Sequence, residues 1–342
     1  MSKFISRENI SRTIDVLKLN SILEMLRSKF IKELRILAYH RVCNPDIRHN
    51  NDPGLISATE EQFDWQVSYL KRNYNLISFS DLEKIVAYKE KLPERAVIIT
   101  FDDGFSDNYF NAYSILKKHR AKATFFVSTG YIGTKNQFWF NQVYRSLIND
   151  SVDTLKLDEI GVDCELSSDK KIRQEQIYDV IEKLKQCPND LRIDLVNIIL
   201  NKYPSLDNID PLSLPLSWQQ LKEMTDNNME ICSHTVSHPV LTMLSDDDLS
   251  NEVVQSKLNI ETSLGTKVNA IAYPVGMRFA YDINTIEKVR MANYKFGVSY
   301  IAGTNYFNDM QFHDLKRIHI ELYTSREMFK SMLSFPELFA VY

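Results

Sequence analysis

Arg95-Ala96-Val97-Ile98-Ile99-Thr100-Phe101-Asp102-Asp103-Gly104 is a β-branched apolar run that ends on two adjacent carboxylates. The run is too short for a helix of ordinary length, so it predicts a buried strand with Asp102 and Asp103 at its C-terminal end. That is where α/β folds place their chemistry. Gly104 lets the chain turn sharply, and Asn108 to His119 has the apolar spacing of a following helix. Further on, Met229 to Cys232 reads as another strand, followed at once by His234-Thr235-Val236-Ser237-His238. One aspartate with His-x3-His is a sufficient protein ligand set for a divalent first-row metal that keeps an open position. The other aspartate stays free to accept a proton. Taken singly, Asp-Asp-Gly is an ordinary turn and His-x3-His an ordinary surface pair; it is their joint placement after two strands that predicts a site.

Thr100 to Gly104 and His234 to His238 resemble the first two motifs of the polysaccharide deacetylases, the NodB-homology group of carbohydrate esterase family 4. The similarity extends over roughly 35 to 320, with Ala121 to Val127 resembling the next strand and Ala272-Tyr273-Pro274-Val275-Gly276 standing where the third motif is expected. The resemblance implies Asp102 as general base and Asp103, His234 and His238 as ligands of one divalent metal. Zinc is the default, and Co2+, Ni2+ and Fe2+ suit the same donors. The third motif departs from the common pattern: Ala272 stands where many members have the arginine that orients the base, and Val275 where they have an aromatic residue. Arg278 and Arg317 are the candidate replacements, and Arg317 is favoured because Asp314 to Ile318 resembles a late strand ending near the site. The Val275 backbone amide is expected at the oxyanion, and Tyr273 in the substrate cleft.

A general acid is still required. Leu34 to Val42 is an apolar strand ending in Tyr39-His40-Arg41-Val42, similar to a motif that comes first in the circularly permuted poly-N-acetylglucosamine deacetylase branch, and this implies His40 as the acid. His319 competes, but its alternation with Ile318 and Ile320 predicts one face of a strand rather than a strand end. The implied reaction is metal-dependent hydrolysis of the N-acetyl group of an N-acetylhexosamine in a glycan or glycan precursor, releasing acetate. The alternatives are deformylation of a lipid-linked formamido sugar and a non-catalytic glycan-binding role.

The expected fold is α/β, a distorted (β/α)7-type barrel over 34–342, with a mostly helical insertion at about 138–215 between the two metal motifs. With 342 residues, 44% of them hydrophobic, the chain is long enough for such a core. Trp139, at the start of the insertion, is open to two roles: stacking on sugar in the cleft, or anchoring the insertion to the barrel. Ahead of the barrel, 1–33 forms an amphipathic helical segment in which Leu19, Ile22, Leu23, Leu26 and Phe30 share a face edged by Lys18, Lys29 and Arg27. That face predicts packing against the barrel bottom, or peripheral contact with a membrane presenting a lipid-linked sugar. A net charge of −4 without basic clusters gives no nucleic-acid footprint. Cys43, Cys164, Cys187 and Cys232 have no paired spacing and read as reduced thiols. The opening residues have no signal-like apolar region and no run reaches membrane-span length. A cytoplasmic location is therefore expected, with a nucleotide-linked or lipid-linked N-acetylated sugar as substrate.

Overall fold

The computed structural model describes residues 7–17, 19–45, 52–204 and 209–340, without the side chains of residues 21–23. Seven parallel strands close a barrel in chain order: β1 (Glu33–Tyr39), β2 (Ala96–Phe101), β3 (Thr124–Val127), β4 (Glu230–Ser233), β5 (Ala270–Ala272), β6 (Phe296–Ala302) and β7 (Leu315–His319). Closure is made by β1, which pairs with β2 from Leu34↔Ala96 to Tyr39↔Phe101 and with β7 at Leu37↔Ile318 and Ala38↔His319. Because helices cover the outside and side chains fill the inside, both faces of β1 and β2 are buried, which is why β2 and the Ile36 to Tyr39 end of β1 read as apolar runs rather than alternating ones. Crossover helices begin on side-chain caps where the sequence provides them. Thr59, Ser78 and Ser217 each form reciprocal capping boxes with Gln62, Asp81 and Gln220.

The helix expected over 108–119 begins as a π-turn, Asn108–Tyr113, and becomes α-helical only over Ser114–His119. The wider turn brings Asn108 and Asn111 against the segment after β1. Their amides donate to the carbonyls of His40 and Val42, each at 2.8 Å.

The 138–215 segment builds a second apolar core of its own, in which Phe138, Val143, Leu147, Ile177, Leu184 and Ile199 pack with Phe105. Two helices, Lys170–Lys185 and Asn189–Lys202, break at Pro188. The mostly helical expectation misses an antiparallel hairpin, Thr154–Leu157 with Val162–Glu165, whose first strand buries only Leu155 and Leu157.

The N-terminal helices α1 (Arg7–Val16) and α2 (Leu19–Phe30) pack on the Arg326–Ser334 helix that follows β7. α2 buries a polar face beside the expected apolar one, of which Leu19 is half-buried. Asn20, Glu24 and Ser28 are buried, whereas Leu26 is 45% and Phe30 83% exposed; Lys18 and the side chains of Ile22 and Leu23 lie outside the described residues. The cause is Arg35, a cation in the middle of β1 that is only 1% exposed and needs partners. Glu24 and Glu33 meet its guanidinium at 3.0 and 2.7 Å, and its Nε donates to the Leu333 carbonyl at 2.6 Å. Arg35→Met is expected to strand the buried Glu24 carboxylate, since Glu33 keeps Arg27 at 2.6 Å, and to cost about 3–5 kcal/mol, read as a lowered melting temperature with α1 and α2 becoming protease-sensitive. An unchanged melting temperature would refute this account of why α2 turns its polar face inward. Among the described residues no helix is long and apolar enough to cross a membrane, and the four thiols are free.

Candidate active site

The backbone ladders run one residue past three strand ends, and those residues are site residues. Asp102 N–H donates to the Tyr39 carbonyl, His234 N–H to that of Val127 and Tyr273 N–H to that of Val298, each at 2.9 Å. Side chains leaving the barrel mouth therefore start from fixed positions. His40 follows β1 in the same way, its N–H donating to Ser57 Oγ at 2.9 Å while its carbonyl accepts from Asn108.

Asp103, His234 and His238 converge with their donor atoms within 4.8 Å of one another, all three buried. The Nε2 atoms of His234 and His238 lie 3.5 and 3.4 Å from Asp103 Oδ1. Two ligands each about 2.0–2.1 Å from a tetrahedral ion stand roughly 3.3–3.4 Å apart, so the set fits such an ion. That oxygen is buried and has no hydrogen-bond partner, as a ligand atom awaiting a cation would be. His234 Nδ1 lies 2.8 Å from the Ala272 carbonyl, which can only accept; Nδ1 carries the proton and Nε2 offers its lone pair to the centre. Burial pushes both imidazoles down, His238 to about 3 with help from the nearby Lys185 ammonium, and this favours the neutral form that ligates metals. Burial likewise raises the Asp103 carboxyl, a penalty that a bound cation would reverse.

Asp102 is clamped by Arg317. The guanidinium meets both carboxylate oxygens in a fork, Nη1 to Oδ1 at 2.8 Å and Nη2 to Oδ2 at 2.7 Å, with both side chains almost wholly buried. Arg317 Nε donates to the Ser299 carbonyl at 2.8 Å, which fixes the plane of the fork. Burial alone would raise the Asp102 carboxyl; the Arg317 charge, with His234 and His40 behind it, outweighs burial and holds the group well below the ordinary aspartate range. Arg278 is elsewhere, paired with Asp314 on the surface.

His40 stands on the other side of Asp102, its Nε2 3.9 Å from Oδ2. Burial pushes its imidazole below the ordinary range against the opposing pull of Asp103 and Asp102. His319 corrects the expectation made for it: it is the last residue of β7, buried at the mouth, with its ring stacked 3.6 Å from that of Tyr300. Burial, with the Arg317 charge, pushes its imidazole down to about 3. Tyr300 was not singled out by any motif. It touches His40 edge-on at 5.6 Å and lies under the Arg317 guanidinium at 5.2 Å.

The third-motif loop is strained. Val275 has φ +62°, a genuine outlier for a β-branched residue, and Asp103, Thr235 and His238 also adopt positive φ. Such positions cost of order 1–3 kcal/mol each and cluster at functional sites. Glu252, also unseen in the sequence, holds the histidine loop by accepting from the backbone N–H groups of Val236 and Ser237 at 2.6 and 2.9 Å.

His40, Asp102, Asp103, His234, His238, Tyr300 and Arg317 line a cavity of about 500 Å³, together with Phe140, Tyr178, Ile181 and Lys185 of the 138–215 segment. Val275 and Tyr273 border it as expected, although Tyr273 turns its hydroxyl away to the His313 carbonyl. Trp139 does not. It is 6% exposed and packs in the insertion's own core, with the Arg192 guanidinium 4.8 Å over its ring; its neighbour Phe140 faces the cavity, 5.3 Å from His238.

Comparison with known proteins gives the family and the fold. The family profile described as polysaccharide deacetylase matches residues 89–297. YxkH of Bacillus subtilis, assigned by name to polysaccharide deacetylases, is 22% identical over 289 residues, covering 84% of this chain and 71% of that one. Poly-beta-1,6-N-acetyl-D-glucosamine N-deacetylase of Staphylococcus aureus is 36% identical over 110 residues, which are 29% of this chain and 37% of the relative's length. Among solved structures, Streptococcus pyogenes deacetylase PplD in complex with acetate shares the fold with a TM-score of 0.57 at 24% identity, over 86% of this chain and 95% of that one. With its seven-stranded barrel and the two motifs at the barrel mouth, the chain belongs to the polysaccharide deacetylase family.

Proposed function

We propose that this chain is a metal-dependent N-deacetylase that hydrolyses the acetamide of an N-acetylhexosamine in a glycan or glycan precursor and releases acetate. The observation that carries the reading is the forked Arg317–Asp102 pair held beside the Asp103, His234 and His238 donors in a cavity of sugar size. A divalent ion bound by those donors, zinc by default, supplies the Lewis acidity that polarises the carbonyl and acidifies water. Asp102, kept ionised by Arg317, accepts the proton of the attacking water. The Val275 amide donates towards the developing oxyanion. His40 delivers a proton to the departing nitrogen. Its Nε2 lies 3.9 Å from Asp102 Oδ2, so acid and base flank the same centre, with His40 acting as the imidazolium. The cytoplasmic location expected from the sequence belongs to the same proposal and is checked by cell fractionation.

The test is acetate release by purified protein from nucleotide-linked, lipid-linked and oligomeric N-acetylhexosamines, before and after chelation. Stripping the metal is expected to abolish release, and zinc or cobalt to restore it. Formate from a formamido sugar without acetate would convert the reading to a deformylase. A metal-loaded protein that releases neither would be a glycan-binding member, and the proposal would fall.

A further inference from the structure

His40 follows the last residue of β1, and side chains rather than strand partners hold its backbone. Its N–H donates to Ser57 Oγ at 2.9 Å, and its carbonyl accepts from Asn108 Nδ2 at 2.8 Å. The same Asn108 nitrogen donates to Asp107 Oδ1 at 3.1 Å. An amide NH2 has two donors, and both are used here, which fixes the plane of the Asn108 side chain. Asp107 Oδ2 accepts in turn from Arg41 Nε at 3.1 Å, with both of those side chains almost wholly buried. The circuit closes through the chain itself: His40 and Arg41 are neighbours on one segment, Asp107 and Asn108 on the other, and the two pairs are tied across.

Asp107 and Asn108 lie on the same short segment as Asp102. That segment grips the acid-bearing one twice, before His40 through the Asp102 N–H on the Tyr39 carbonyl at 2.9 Å, and after it through Asn108. The second grip comes from the first residue of the π-turn, a rare form of helix that recurs at functional sites. We propose that Asn108, fixed by Asp107, is a positioning residue that sets His40 Nε2 at its 3.9 Å from Asp102 Oδ2, so that one stretch of chain carries the base and aims the acid. The role rests on the proposed assignment of His40 as the acid. It has a chemical signature. An amine leaves a tetrahedral intermediate only after it is protonated, whereas a nitrophenolate leaves as a stable anion without an acid. A misplaced acid therefore slows acetamide hydrolysis and spares an aryl acetate; a damaged base or metal centre slows both.

The test compares acetate release from N-acetylglucosamine oligomers with hydrolysis of nitrophenyl acetate by the zinc-loaded wild type and variants, each checked for folding by thermal melts. Asn108→Ala is expected to lower kcat on the acetamide by about 10²-fold, the order that a misplacement of roughly 1 Å costs, and to leave the ester rate near that of the wild type. His40→Ala should shift the amide-to-ester ratio in the same direction and further. Asn111→Ala loses an equal bond, to the Val42 carbonyl, and is expected to keep the wild-type ratio. Ser57→Ala releases the other side of His40 and is expected to follow Asn108→Ala, which keeps the proposal testable if the asparagine variant misfolds. Equal losses on both substrates in folded Asn108→Ala, with the ratio shifted in His40→Ala, would overturn the positioning role and leave deacetylation intact. A ratio unmoved in His40→Ala would remove the acid assignment and this inference with it. A crystal structure of Asn108→Ala is the readout independent of turnover: the His40 ring is expected to be displaced from Asp102, and an unmoved ring would overturn the proposal even if the wild type released no acetate.

Discussion

Asp102→Asn is expected to lower kcat for acetate release by about 10²–10⁴, the usual worth of a positioned general base, with metal content unchanged. The substitution is nearly isosteric and leaves Asp103, His234 and His238 in place, so metal binding separates a lost base from a collapsed site. It also breaks the electrostatics of the pair. Arg317 presents two donors to two carboxylate oxygens, and an asparagine meets one of them with its own NH2. The loss therefore combines a missing proton acceptor with a buried guanidinium short of one partner. A variant that binds zinc and retains most of the wild-type rate would show that Asp102 is not the base.

Arg317→Ala is expected to cost about 3–5 kcal/mol of stability by leaving an uncompensated buried carboxylate, and to reduce activity as well, because Asp102 is then free to take up a proton. Few substitutions here remove as many contacts from one buried position: the fork, the Ser299 carbonyl bond and the face of Tyr300. Arg317→Lys keeps the charge but not the fork. It is expected to recover much of the stability in thermal melts and little of the rate. A lysine variant with wild-type kcat would mean that charge alone sets the state of Asp102 and that the aim given by the fork does nothing.

The ends of β2 and β4 were legible because each follows a short apolar run, and the chemistry sits immediately after them. Asp102, Asp103, His234 and His238 stand where that logic puts them, and Arg317 lies at the aspartate. His319 was misread for the same physical reason. In a strand buried on both faces, flanking isoleucines carry no information about which side a residue faces or where the strand stops. The face of α2 was misread because periodicity weighs apolar residues, whereas the buried side was chosen by Arg35, a partner visible only in three dimensions. Tyr178 and Tyr300 were beyond reach: each owes its place to packing between segments distant in sequence, and neither sits in a local pattern.

The barrel closes on itself through β1 and β7, so the counterion of Asp102 arrives 215 residues after the aspartate has been made. At about 5–20 residues per second, the ribosome needs roughly 10–40 s to cover that distance. Throughout that interval β1 has β2 beside it but no β7, and its other edge is an open template for strange chains. The nascent protein is thus an open sheet whose Asp102 carboxylate has not yet met its counterion. Chaperone demand and inclusion-body formation during rapid overexpression follow from that timing, and slower translation at low temperature should improve the yield of soluble enzyme.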